Sequence, residues 1–183
     1  MDKVKFNLKN VHIAPMTESG VAPVWGAPIK VPGAVSFSLD PQGDITPFYA
    51  DGVVYYQSVA NNGYSGDLEM ALFPAEMLTA IFNMQEGSTS KVLTENAKYE
   101  PIPFAMMFEE DGDKSGTKFV LYNCMATRPT RSYNTNTEAK TPQTQKITVT
   151  ASPLEDGKVM AMTQEDTPSE VAAAWYESVF VEA

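Results

Sequence analysis

The sequence predicts a mainly β domain with one helix packed on a sheet. Three observations carry that prediction. First, residues 62–84 change period halfway. From Tyr64 to Phe73 the chain alternates, Leu68, Met70 and Leu72 against Asp67, Glu69 and Ala71, as in a strand with one dry and one wet face. From Pro74 onward, Met77, Leu78, Ile81 and Phe82 make one stripe of a short amphipathic helix over about residues 74–83. Second, 13 prolines and 11 glycines are spread along the chain, punctuating many short elements. Third, other stretches repeat the period of two, most clearly Ile147, Val149 and Ala151 against Lys146, Thr148 and Thr150.

In chain order, Val4, Phe6 and Leu8 alternate with lysines, giving an edge strand or an extended arm whose charges discourage stray pairing. Residues 15–32 hold four prolines and two glycines around Trp25 and Ile29: an ordered loop or a bent strand. Val35, Phe37 and Leu39 alternate with Ser36 and Ser38 as a strand, and Asp40-Pro-Gln-Gly43 is a turn. Val53–Val59 is a further strand. Phe48, Tyr49, Tyr55 and Tyr56 put four aromatics within nine residues, and a loop with Phe48 and Tyr49 near its tip is more apolar than a solvated loop requires.

Pro74 suits the first helical turn, and Asn83 and Gly87 offer an exit. Residues 86–103 are a polar connection. Residues 102–110 and 117–127 are strands joined by an Asp- and Gly-rich hairpin turn. Residues 128–142 are a polar loop with little to bury, followed by the strand at 146–151 and a returning strand at 159–162. Thr167-Pro-Ser-Glu170 has the form of a capping box for a short C-terminal helix carrying Val171, Ala174, Trp175 and Ser178 on one face. Trp175 and Tyr176 have two readings, as core or as anchors on a neighbouring subunit.

With 183 residues and 43% hydrophobic content, the chain suits a single domain over 1–183. It carries 23 acidic against 13 basic residues, a formal net charge of −10, which argues against a basic nucleic-acid patch. Cys124 is the only cysteine. No internal disulfide is possible, so a reducing compartment fits better than secretion, and Cys124 reads as a small buried hydrophobe. The N-terminus reads as no signal peptide, and no window is apolar enough to span a membrane.

Catalytic signals are thin. His12 is the only histidine, and no nucleophile elbow or family signature accompanies it. There is no Walker A loop and no GxGxxG. One Cys and one His make a zinc site untenable. Glu109, Glu110, Asp111 and Asp113 lack the spacing of a calcium loop and read as a solvated turn. Arg128 and Arg131, the only arginines and three residues apart in a polar loop, have two readings, an anion-binding pair or partners of surface carboxylates, of which the second is favoured. No catalytic, cofactor-binding or metal-binding residue is expected.

Six stretches together resemble the major tail protein of long, flexible-tailed bacteriophages, the subunit of the tail tube. They are KVKFNLKNVHIAP, GAVSFSLDPQGDITPFYADGVVYY, NGYSGDLEMALFPAEMLTAIF, FAMMFEEDGDKSGTKFVLYNCMATRP, PQTQKITVTASP and the aromatic ending WYESVF. They span nearly the whole chain; residues 86–99 and 128–142 match least.

The resemblance implies a two-sheet β-sandwich with a flanking helix and no catalytic residues. It implies terminal arms, here about residues 1–20 and 163–183, and subunits that close into rings, commonly hexameric, stacked through a long loop. Phe48, Tyr49, Tyr55, Tyr56, Trp175 and Tyr176 are then the expected contacts between rings or subunits, and Asp67 and Glu69 candidates for the lumen wall. The implied partners are further copies of the chain, tape measure, tail tip and tail terminator proteins, and passing DNA bound without sequence specificity. The implied location is the virion tail, after assembly in the host cytoplasm. The chain has no room for the extra immunoglobulin-like domain some relatives carry. A carbohydrate-binding or adhesion β-sandwich would share the fold class and the exposed aromatics, and would stay a monomer or small oligomer with saturable glycan binding.

Overall fold

The computed structural model describes residues 4–20, 22–112, 114–135 and 142–182. Fourteen strands and two helices follow one another among them. β1 (Lys5–Glu18), β2 (Val24–Trp25), β3 (Ile29–Lys30), β4 (Ala34–Phe37), β5 (Asp40–Pro41), β6 (Ile45–Ala50), β7 (Val53–Val59) and β8 (Tyr64–Met70) precede the helix α1 (Ala75–Phe82). After it come β9 (Gln85–Glu86), β10 (Leu93–Thr94), β11 (Phe104–Gly112), β12 (Gly116–Ala126), β13 (Gln145–Ala151), β14 (Met160–Met162) and the helix α2 (Ser169–Ala174).

The mainly β fold with a flanking helix and a short C-terminal helix matches the expectation. Ten strands form one antiparallel sheet in the order β2-β1-β11-β12-β13-β8-β4, with β3 added to β1, β14 to β12 and β5 to β8. Its parts supply the two packed layers. Val11 and Ile13 of β1 and Met106 and Phe108 of β11 share one core with Leu68 and Met70 of β8 and Ile147 and Val149 of β13. Phe37 of β4 meets Phe108 of β11 edge to face, with centroids 5.2 Å apart. A period-two pattern buries one face of β8 and β13 in this way, while β11 is buried on both faces from Phe104 to Phe108, as its unbroken apolar run demands.

α1 closes this core with Met77, Ile81 and Phe82, the predicted stripe. Pro74 stands one position earlier than expected, at the N-cap, where its carbonyl accepts from Leu78 N–H at 3.1 Å. Asn83 adopts a left-handed φ of 53°, and the Leu78 carbonyl accepts from both Asn83 and Met84, satisfying an end carbonyl that the helix itself cannot. Residues 85–94 form the small β9–β10 hairpin within the predicted polar connection.

A second core lies on the other face of the sheet. Ala14, Ala105, Met107, Val120 and Tyr122 are covered there by Trp175 of the C-terminal segment. Within the described parts of the two stretches expected as arms, Val11, Ile13, Ala14, Val171, Trp175 and Phe180 pack on these cores, while Val4 and Phe6 stay exposed. β1 pairs with β11 along its length, but β2 and β3 cover its other side only from His12 to Glu18, so its first residues, with Phe6 exposed, lie at the sheet edge as expected.

Local expectations fail at Leu72, Val35, Asp40–Pro41 and Thr167, among others. Leu72 does not join Leu68 and Met70: the strand ends at Met70, Ala71 N–H turns to the Gly33 carbonyl at 2.8 Å, and Leu72 is exposed. Val35 is exposed because the register shifts between Ala34 and Ser36. Asp40–Pro41 is strand paired with Ser65 and Tyr64, not a turn. The capping box does not form: Thr167 Oγ1 instead accepts from Gln164 N–H at 2.7 Å, and α2 starts at Ser169 with Pro168 at the N-cap and no side-chain cap.

Candidate functional site

β6 and β7 form a two-stranded ribbon that pairs with no third strand among the described residues. It grows out of the sheet. The β5–β8 pair continues through Gln42 N–H to Gly63 O and Asn62 N–H to Gln42 O, both 2.8 Å, and Ala60 N–H to Asp44 O, 3.1 Å. Gly43 sits in this neck at φ 141°, and a Cβ there would lie 2.0 Å from the Ala60 carbonyl oxygen. Only glycine lets the two strands approach so closely. At the far end Asp51 and Gly52 both have positive φ, 53° and 78°, the two-residue turn whose twist matches paired strands. Six residues of β6 at strand rise carry the ribbon roughly 20 Å beyond its neck.

The ribbon is apolar and wet. Phe48, Tyr49, Tyr55 and Tyr56 are 60 to 73% exposed. Phe48 pairs with Tyr56 and Tyr49 with Val54, so Tyr55 is the extra residue of a bulge. Ile45, Val53, Val54 and Val59 are exposed as well. The sequence reading placed Phe48 and Tyr49 in a loop; they lie on a strand. It also missed the four aliphatic residues. Their signal was there: apolar residues fall at both odd and even positions of Val53–Val59, so neither face of that strand is polar. A two-stranded ribbon has marginal stability alone in water, and a contiguous exposed apolar surface of this kind marks an interaction site.

Trp175 and Tyr176 lie elsewhere and are engaged within the chain. Trp175 is 2% exposed, donates from Nε1 to the Phe119 carbonyl at 3.3 Å and stacks on Phe180 at 5.1 Å. The core reading holds for it, and the expectation of an exposed subunit anchor is corrected: its surface is already spent on Val120 and Tyr122 of its own sheet. Tyr176 is half-buried. Its ring stacks on His12 at 4.4 Å, Lys118 Nζ lies 5.3 Å above it, and its hydroxyl donates to Glu109 Oε2 at 3.3 Å. Burial, then the Glu109 charge, raises the phenol pKa. Glu109 and Asp111, expected in a solvated turn, are strand residues facing Lys9; Asp113 lies outside the described residues.

Asp67 and Glu69 do share the wet face of β8. Asp67 accepts from Lys146 Nζ at 2.6 Å and Thr148 Oγ1 at 2.8 Å, and these two contacts hold its carboxyl below the ordinary value. Glu69 accepts hydroxyls from Thr144 and Ser36. Lys146 stands directly opposite Glu69 in register, yet its ammonium reaches diagonally to Asp67.

The remaining chemistry-bearing residues have structural partners. Cys124 is fully buried, and burial pushes its thiol far up. His12 Nδ1 lies 2.8 Å from the Asn10 carbonyl. Among the described residues no three His, Cys, Asp or Glu side chains converge as a metal site, and no helix is long and apolar enough to cross a membrane.

No protein-family model matches this chain, and no curated protein matches it. Eleven chains among the solved structures match it, two of them as follows. One is a cryo-EM structure of the sheath/tube terminator of an extracellular contractile injection system, PVC, in the extended state: 14% identity, TM-score 0.49, covering 88% of this chain and 99% of that one. The other is the tube-terminating cap of the anti-feeding prophage: 14% identity, TM-score 0.48, covering 88% of this chain and 93% of that one.

Proposed function

We propose that this chain is a structural subunit of a phage-type tail tube that assembles with copies of itself through the β6–β7 ribbon. The observation that carries this is the ribbon: a projecting, two-sided apolar element with no covering layer in its own chain. The sequence resemblance set out above supports the same reading. In it, subunits close into rings, commonly hexameric, and rings stack as ribbons dock on neighbouring copies. The assembled tube meets tape measure, tail tip and terminator proteins in the virion and lets DNA pass during ejection. Asp67 and Glu69 are candidates for the inner wall.

Sedimentation and negative-stain microscopy of the purified chain, across concentration and salt and with an initiator protein of the same tail, test the reading. Rings or tubes are expected. Phe48→Ala with Tyr49→Ala should leave the melting temperature unchanged and impair assembly, because aromatic anchors at an interface commonly cost about 2 kcal/mol or more when truncated. A strict monomer under every condition overturns the reading, and a monomer with saturable glycan binding would replace it with the carbohydrate-binding module.

A further inference from the structure

A groove of about 330 Å³ opens beside α1, between the helix and residues 95–101 and 128–131. Leu78, Phe82 and Met84 give it apolar lining. Arg128 and Arg131, the only arginines in the chain, line it too, together with Glu95 and Glu100. Arg128 is taken by Glu95, at 2.5 Å. Arg131 is exposed and forms no ion pair among the described residues. An apolar groove flanked by a guanidinium without a carboxylate accepts a segment that is itself apolar and acidic, since Arg pairs with carboxylates and also stacks on aromatic rings.

The ribbon has that chemistry. From Asp44 to Val59 it carries two carboxylates, Asp44 and Asp51, and neither lysine nor arginine. Asp51 stands at its tip, with Tyr49 two residues before it and exposed. We propose that the ribbon tip of one copy seats in the groove beside α1 of the next, with Asp51 facing Arg131. This rests on the assembly reading above and names the receiving surface. Ribbon and groove are different patches of one subunit, so the contact is head-to-tail. Such a contact repeats from copy to copy and gives closed rings or open stacks according to its rotation.

The test is a charge swap in the full-length chain: Arg131→Glu, Asp51→Arg, and both together. Both residues are exposed, so Arg131→Glu should melt as the unaltered chain does; Asp51 stands at φ 53°, where arginine is less favoured than aspartate, so Asp51→Asn, which removes the charge and keeps the turn, is run beside Asp51→Arg. Each single change should raise the concentration needed for rings or tubes by ~10-fold or more, the equivalent of one lost charged contact. The double change should restore assembly to within about 3-fold. If the unaltered chain forms tubes while neither single change shifts their threshold, or if the double is no better than the worse single, the groove is not the receptor and only this pairing is overturned. If the unaltered chain forms no assembly at all, even with an initiator, the assembly reading falls and this one with it.

Discussion

The hydroxyl of Tyr176 donates to the carboxylate of Glu109 across 3.3 Å, joining the C-terminal segment to β11. Glu109 is 8% exposed and also receives Asn10 Nδ2 at 3.0 Å and Lys9 Nζ at 3.3 Å. A buried carboxylate is tolerated where it is paired and hydrogen-bonded, so this cluster ties both chain ends to one point of the sheet. Tyr176→Phe keeps the ring on His12 and removes one of three donors. The bond is at the long end of the range, so the expected loss in urea unfolding is about 1 kcal/mol. No measurable loss would mean that Lys9 and Asn10 already satisfy the carboxylate.

His12 gives a pH dependence with a definite sign. Burial chiefly lowers its pKa; the Asn10 carbonyl acts the other way, and the Lys30 charge lowers it further. The folded chain therefore binds this proton less readily than the unfolded chain, and stability rises with pH. The contribution is complete above the ordinary value of about 6.5 and declines as pH falls below it. Melting temperature measured from pH 8 to pH 5 should drop in the lower half of that window. His12→Phe, whatever its absolute stability, should remove that component of the drop, and an unchanged slope would assign the dependence to the carboxylates.

Trp175 covers Ala105, Met107, Val120 and Tyr122. Its truncation to Ala leaves a cavity over the second core, and such changes cost about 3–5 kcal/mol. A chain ending at Thr163 uncovers that whole face and should not give a cooperative thermal transition. A stable, cooperatively melting truncation would show that the C-terminal segment is dispensable for the fold.

Much of the fold was legible because its signals are local. The period-two runs of β8 and β13, the stripe of α1 and the unbroken apolar run of β11 each follow from side-chain direction alone. The ends of elements were not legible. Leu72 continues the alternation of β8, yet a backbone hydrogen bond to Gly33, far away in sequence, ends the strand before it. Thr167 matches a capping box, yet its hydroxyl closes a turn with Gln164 instead. The site was half legible: clustered aromatics marked the ribbon, but that β6 and β7 pair only with each other depends on where the sheet ends. Trp175 shows the converse limit, since a large aromatic on a short helix looks alike in sequence whether it covers its own sheet or a neighbour's.

The wet face of β8 carries both Asp67 and Glu69. If this face lines the tube, DNA must slide past it, and attraction to phosphates grows with each cation presented. Asp67 is already neutralised by Lys146, whereas Glu69 is held by hydroxyl groups and forms no ion pair among the described residues. Glu69 is therefore the residue whose charge matters most there, and screening over about 10 Å confines the effect to the inner wall. Glu69→Lys also sets like charges opposite each other with Lys146, a cross-strand penalty of about 0.5–1 kcal/mol that the fold should survive. In phage whose tails are built from this variant, tubes should form and DNA release should slow, with the delay relieved by higher salt. Glu69→Gln should fall between the two. Release at the unaltered rate from normal tubes would place this face on the outside and leave the inner wall to another part of the sheet.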